Sequence, residues 1–224
     1  MINDKEIVAL IPAKDDSKRV KNKNFQTLSG KSLIGRKILQ LQESKYIDRI
    51  VVGSKSEKVL NEARKYGAET IVEDEYDYYQ SANKMIHNLV KRVQTDIVLW
   101  AHVTNPFIST STYDKAIEIF QQNLVKKQYD SLLSVYKVQE HFWTEDRTPL
   151  NYNPYDKQHT LAKDLPPIYA QDGGIFIQPH KQMLKNSYFF GEKPYLFEME
   201  EQEIFDINVE KELQIAKALA EYYG

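Results

Sequence analysis

The stretch Ile7–Phe25 reads IVALIPAKDDSKRVKNKNF. Its first part is an uninterrupted apolar run that stops at Pro12, the pattern of a strand buried on both faces of a sheet. Its second part, Ala13 to Asn24, is a loop holding two acids, five Lys or Arg residues and two Asn. A strand end needs no such cluster for stability, so the cluster points to an anion. Ligands of open α/β sheets sit beyond the carboxyl ends of the strands, which is where this loop lies. Lys14, Lys18, Arg19, Lys21 and Lys23 can offer charge-assisted hydrogen bonds to a phosphate chain, together with backbone N–H groups. The segment contains no glycine, so neither GxxxxGK[ST] nor GxGxxG accounts for it. A solvated basic surface is the alternative reading.

Outward from this loop, strand-like and helix-like patterns alternate. SLIGRKILQLQES (Ser32 to Ser44) has helical spacing at Leu33, Ile34, Ile38 and Leu41. DRIVVGS (Asp48 to Ser54) reads as the next strand, and EKVLNEARKYG as a helix closed by Gly67. ETIV is a short strand. The Tyr-rich DEYDYYQ leads to a helix near Ser81 to Val93, then a strand, DIVLWAHV (Asp96 to Val103), and a helix, TYDKAIEIFQQNL. Such alternation predicts parallel βαβ units, hence an α/β fold with an open, mostly parallel sheet covered on both faces.

Beyond the strand DSLLSVYKV (Asp130 to Val138) the pattern loosens. Residues 139–168 are loop-rich, with Pro149, Pro154, Pro166 and Pro167. GGIFIQ, a short helix, an extended YFFGEKPYLFEME and a closing amphipathic helix from Val209 to Tyr223 follow. The expectation is a single domain over 1–224, with 139–200 as an insertion on the sheet that serves as a dimerisation arm.

Composition narrows the function. A formal net charge of -2 argues against a general nucleic-acid binder. The absence of cysteine excludes disulfides, thiolate metal sites and a cysteine nucleophile. No apolar run approaches the ~20 residues that span a bilayer, and MINDKEIVAL lacks the basic flank and apolar core of a signal peptide. The expectation is a cytoplasmic protein without membrane or nucleic-acid partners.

IPAKDDSKRVKNKN resembles the IPARxGSKRxxxKN signature of the acylneuraminate cytidylyltransferases, which activate sialic acid and related sugars as CMP derivatives. The likeness continues in order through KSLIGRKI, DRIVVGSKSEKVLNEARKYGAE, VLWAHVTNPFIS (family LLQPTSPLR) and LPPIYAQDGGIFI (family LPxxYxxNGAIYI). It ends with SYFFGEKPYLFEM and EIFDINVEKEL, where the family has DIDTxxDL. The resemblance covers almost the whole chain and implies a Rossmann-like sheet of the nucleotide-diphospho-sugar transferase type.

The same resemblance implies the chemistry: a sugar hydroxyl attacks the α-phosphate of CTP, pyrophosphate leaves, and cations neutralise the developing charge. It implies a nucleotide set of Ala13, Lys14, Ser17, Lys18, Lys23, Asn24 and Ser81, with Lys18, Lys23 and Asp206 as the catalytic group. The acceptor set is His102, His141, Lys163, Asp172, Phe176, Phe189 and Phe190, with His102 as a donor to sugar or nucleotide. The aromatics of YFF reach a partner subunit's site in a homodimer. Mg²⁺ is the implied cofactor, held by Asp206 and Asn208, whose strand-like spacing puts both on one face.

The chain departs from the family pattern at four places. The loop glycine is Asp16, and Lys55 stands where the STD motif has an acid. The DID pair reads Asp206, Ile207, Asn208, with one negative charge fewer. His102 and Ile108 replace the family's Gln and Arg, and before LP only Lys163 stands near the place of the carboxylate-binding Arg. These changes cluster on the acceptor side. They leave open another acceptor, such as a different nonulosonate or a phosphonate, and a nucleotide-binding homologue without turnover. A dinucleotide-dependent oxidoreductase is disfavoured by the missing GxGxxG.

Overall fold

The computed structural model describes residues 4–15, 17–73 and 81–223. Asp16 and the segment DEYDYYQ (74–80) fall outside them, so the expectations attached to Asp16 and to the Tyr-rich stretch lie beyond the described residues.

The opening apolar run forms β1 (Ile7–Pro12), in which Ile7 to Ile11 have no exposed surface. Its alternate side chains enter two different cores. Ile7, Ala9 and Ile11 face one cluster, while Val8 and Leu10 face the other. That division follows from the two-residue period of a strand and requires helices on both faces.

The chain continues through a short hairpin, β2 (Thr27–Leu28) and β3 (Lys31–Ser32), to α1 (Leu33–Gln42). Then come β4 (Arg49–Ser54), α2 (Glu57–Lys65), β5 (Glu69–Val72), α3 (Ala82–Lys91), β6 (Ile97–Ala101) and α4 (Thr110–Lys126). The second half holds β7 (Ser131–Val138), β8 (Ile168–Pro179), α5 (His180–Asn186), β9 (Pro194–Glu198) and α6 (Glu210–Tyr223). Four helices start on a serine whose hydroxyl accepts from a backbone N–H: Ser32, Ser56, Ser81 and Ser109 cap α1, α2, α3 and α4.

The strands form a seven-stranded sheet in the order β5-β4-β1-β6-β8-β7-β9. β1 pairs in parallel with β4 and β6, β4 with β5, and β7 with β9. β8 alone runs the other way, antiparallel to both β6 and β7. Residues of α1, α2, α4 and α6 fill the core on one face, and those of α3 and α5 fill it on the other. Among the described residues no helix is long and apolar enough to cross a membrane.

The segment 139–200, expected as an insertion, divides in the structure. Residues 139–167 leave the sheet as an excursion pinned by a bridge between Trp143 and Pro149. β8 and β9, by contrast, are strands of the main sheet, and β8 sits between β6 and β7. The reason is visible in GGIFIQ, whose Ile175, Phe176 and Ile177 are wholly buried and belong to the cores.

Candidate active site

The chain moves from β1 to β4 on one side of it and later to β6 on the other, so the gap beyond β1 and β6 is the switch point of this sheet. A cleft of about 670 Å³ opens there. One wall is the basic loop, with Lys14, Ser17, Lys18, Arg19, Lys23 and Asn24. The opposite wall comes from the turn after β6, His102 to Asn105, and from Gln171 to Gly173 of β8. Asp206 and Asn208 close one side.

The loop is held by its own polar residues. The Ala13 N–H donates to the Gly53 carbonyl at 2.9 Å, which extends the β1–β4 ladder by one step. The Ser56 hydroxyl, already the cap of α2, donates to Asp15 Oδ2 at 2.8 Å. Asn24 is buried, and its amide donates to the Lys14 carbonyl. Lys23 crosses to the far segment, where its Nζ donates to the Ile207 carbonyl at 2.7 Å. Arg19 Nη2 donates to Asn208 Oδ1 at 3.2 Å. Burial lowers the pKa of Lys23, and the nearby Asp206 carboxylate opposes that shift.

The opposite wall depends on the reversed strand. Because β8 is antiparallel to β6, with Ala101 opposite Ile175, its first residues project past the end of β6 into the cleft. A register shift in β7 between Leu133 and Val135 brings the Ser134 hydroxyl against this point. Ser134 Oγ donates to Asp172 Oδ1 and accepts from the Ile175 N–H at 2.8 Å. The Gly174 N–H also donates to Asp172 Oδ1, at 3.0 Å. A Cβ on Gly174 would lie 2.5 Å from Ile108 Cδ1 and 3.1 Å from Asp172 Oδ2, so this close approach requires glycine. Burial raises the pKa of Asp172 despite the two donors.

His102 has no capacity left for a ligand. Trp100 Nε1–H donates to its Nε2 at 3.0 Å, and because an indole can only donate, that nitrogen is the acceptor. Nδ1–H therefore donates to the Gly173 carbonyl at 2.7 Å, and burial pushes the ring pKa down. The expected donor role of His102 is thus corrected. It borders the cleft as a neutral, fixed wall.

Of the residues expected from the sequence, Lys14, Ser17, Lys18, Lys23, Asn24, His102, Asp172, Asp206 and Asn208 converge on the cleft. The others lie outside it. Ala13 is buried in the core. Ser81 caps α3, accepting from the Lys84 N–H at 3.2 Å. His141 stacks on His159 within the excursion, with ring centroids 5.0 Å apart, and Lys163 sits in a short turn, Ala162–Asp164. Phe176 is fully buried and stacks on Phe189 at 4.9 Å. Phe189 and Phe190 pack on the core formed by Trp100 and Phe176, so the YFF segment is engaged within its own chain. Arg19, read as a phosphate contact, also lines the cleft, whereas sequence reasoning gave no site role to Met85, Asn105, Gln171 or Gly173, which line it too. The polar pair Thr104 and Asn105 between the end of β6 and Pro106 was the available signal for Asn105.

The Asp206 side chain fits a hard cation. Its Oδ2 accepts from Asn208 Nδ2 at 2.6 Å, whereas its Oδ1 is buried with no hydrogen-bond partner. An orphaned carboxylate oxygen beside a cationic loop is unfavourable unless a ligand completes it. Among the described residues no group of three or more His, Asp or Glu could cage a metal alone. A cation here would draw its other ligands from water and phosphate, the habit of Mg²⁺.

A family model described as cytidylyltransferase matches residues 8–223. The chain belongs to the cytidylyltransferase family. It is 27% identical over 222 residues to the pseudaminic acid cytidylyltransferase of Campylobacter jejuni, covering 95% of each chain. It is 31% identical over 216 residues to the CMP-N,N'-diacetyllegionaminic acid synthase of Legionella pneumophila, covering 85% of this chain and 86% of that one. In fold it is similar to the solved CMP:2-keto-3-deoxy-manno-octonic acid synthetase complexed with CTP, with a TM-score of 0.71 at 13% identity, covering 98% of this chain and all of that one. The chain is therefore an enzyme of the cytidylyltransferase family with the α/β architecture that its sequence pattern implied.

Proposed function

We propose that this cytidylyltransferase moves CMP from CTP to a hydroxyl of a carboxylate-bearing sugar, a nonulosonic acid such as pseudaminic or legionaminic acid, with release of pyrophosphate. The observation that carries this reading is the joining of two kinds of group across one cleft. Lys18, Arg19 and Lys23 face the orphaned carboxylate of Asp206 at the switch point of the sheet. The names of the two relatives support the class of acceptor.

In this reading the triphosphate lies along the basic loop, where Lys14, Lys18 and Lys23 act as point charges and Ser17 and Asn24 as polar contacts. The acceptor hydroxyl forms the new O–P bond at the α-phosphate, the bond to pyrophosphate breaks, and the hydroxyl proton is lost to solvent or to a carboxylate of the cleft. Lys23, tied to the Ile207 carbonyl, links movement of the loop to Asp206. Asp206 and Asn208 would hold Mg²⁺, with Asn208 turning its carbonyl away from Arg19 when phosphate takes the guanidinium. When bound, that ion neutralises charge on the phosphate oxygens. The acceptor lies against Thr104, Asn105, Gln171 and Asp172.

A homodimer and a cytoplasmic location complete the proposal. Trp143, Leu150, Tyr155 and Leu161 are exposed on the excursion 139–167, and large apolar groups there favour contact with a second copy. The test is pyrophosphate release from CTP with pseudaminic, legionaminic, N-acetylneuraminic and 2-keto-3-deoxy-manno-octonic acids. Release with at least one acid is expected. CTP binding without release with any acid would favour a homologue that has lost turnover.

A further inference from the structure

Lys37 is on the inward face of α1, among Leu33, Ile34, Ile38 and Leu41, with none of its surface exposed. Its Nζ donates to the Asn105 carbonyl at 2.8 Å and to the Tyr113 hydroxyl at 2.6 Å. Both partners are neutral, and among the described residues no carboxylate makes a salt bridge with it. An apolar side chain would fill such a position at far lower cost, so a retained buried cation calls for a use.

Its neighbours lead to the cleft. Asn105 lines it, and the Asn105 amide donates to the backbone carbonyl of Asp172, also a lining residue, at 3.3 Å. The charged and titratable groups facing Lys37 are Arg36 on its own helix, Tyr113 from α4, Glu203 from the turn before α6, Asp172 from β8 and His102 after β6. The wall that they share contains an acid, Asp172, and a neutral imidazole, His102, while the cationic side chains that line the cleft belong to the basic loop opposite. That wall is where an anionic acceptor would have to lie.

We propose that Lys37 is the cation of the acceptor wall: from beneath Asn105 it holds the Thr104–Asn105 turn and offsets the charge of Asp172, so that a carboxylate-bearing acceptor can rest there. This rests on the function proposed above. Lys37 is a positioning residue, because it acts through Asn105 and through space. Burial brings its pKa down to about 7. An anion bound nearby favours the protonated form, so acceptor and proton bind Lys37's surroundings cooperatively.

The experiment measures KM for CTP and for whichever acid of the panel turns over, in the wild type, Lys37→Met and Lys37→Gln. Glutamine retains a hydrogen-bond donor without the charge, and decides the matter alone if the methionine variant does not fold. The expected result is an acceptor KM raised about tenfold or more in both variants, with CTP KM within about twofold. In the wild type, acceptor KM rises from about pH 6.5 to about 8.5, and that rise is absent in both variants. Equal shifts in the two KM values, or wild-type values in Lys37→Gln, would overturn the inference while leaving the function standing. A wild type that releases pyrophosphate with no acid overturns the function, and this inference with it.

Discussion

Lys37 also makes a quantitative statement about stability. Its pKa falls from 10.5 to about 7 on folding because burial penalises the ammonium. The difference of about 3.5 units corresponds to a cost of about 5 kcal/mol wherever the side chain is charged in both states. Below about pH 7 both states carry the proton, and the full cost is present. Between about 7 and 10.5 the unfolded chain binds more protons than the folded one, so stability rises with pH by up to about 1.4 kcal/mol per unit. Lys37→Met removes this slope. It also strands the Tyr113 hydroxyl and the Asn105 carbonyl, at about 1–3 kcal/mol each. The two effects nearly cancel at pH 7, so the variant is expected to be close to wild type there. At pH 9.5 the wild type has recovered about 3 kcal/mol, and the gap between the two proteins widens by that amount. Urea unfolding followed by the fluorescence of the buried Trp100 measures it, and other titrating groups cancel in the difference. Parallel curves, with the gap constant to about 0.5 kcal/mol across this range, would show that Lys37 does not titrate as its burial implies.

The remaining predictions concern the cleft and the YFF segment. Lys18→Ala and Lys23→Ala should each weaken CTP binding by about 1.5–3 kcal/mol in calorimetry, and unchanged affinity in both would remove the loop as the triphosphate site. Asp206→Ala should abolish Mg²⁺-dependent turnover, whereas Asn208→Asp should raise Mg²⁺ affinity in the presence of CTP; activity that survives both chelation and Asp206→Ala contradicts the metal assignment. Phe189→Ala should lower stability by about 2–4 kcal/mol through loss of its stacking on Phe176 and its edge contact with Trp100, with little change in acceptor KM. A raised acceptor KM at wild-type stability would instead restore a role for this aromatic at a substrate site.

The fold was legible wherever one period dominated a segment. The apolar runs at Ile7, Ile50 and Ile97 announced strands buried on both faces, and the apolar spacing from Leu33 to Leu41 announced α1. The direction of β8 was not legible, because strand polarity is decided by which neighbours pair and not by the pattern within GGIFIQ. Of its first residues, Ile168 read as the end of a proline-rich loop, and Tyr169 to Asp172 were assigned to no element. The β2–β3 hairpin escaped because two-residue strands are too short to show alternation. At the site, the basic loop and the Asp206–Asn208 pair were readable as motifs. Lys37 was overlooked, although a lysine within the apolar stripe of an amphipathic helix is a visible anomaly. The state of His102 depended on Trp100 and Gly173, a contact that no spacing reveals.

The reversed course of β8 has a mechanical consequence. A strand laid parallel to β6 would begin at the far edge of the sheet, and the chain preceding it would emerge away from the ligand. Running backwards, β8 delivers the end of the 139–167 excursion to the mouth of the cleft, a few residues before Gln171 and Asp172. The excursion and the wall proposed for the acceptor are thus one continuous piece of chain, whereas the basic loop is fastened separately to α2 and to Ile207. Insertions, deletions or a docked second copy at the excursion can therefore pull on one wall while the opposite wall keeps its geometry. Under the proposed function, acceptor preference can drift in this architecture without retuning the grip on phosphate.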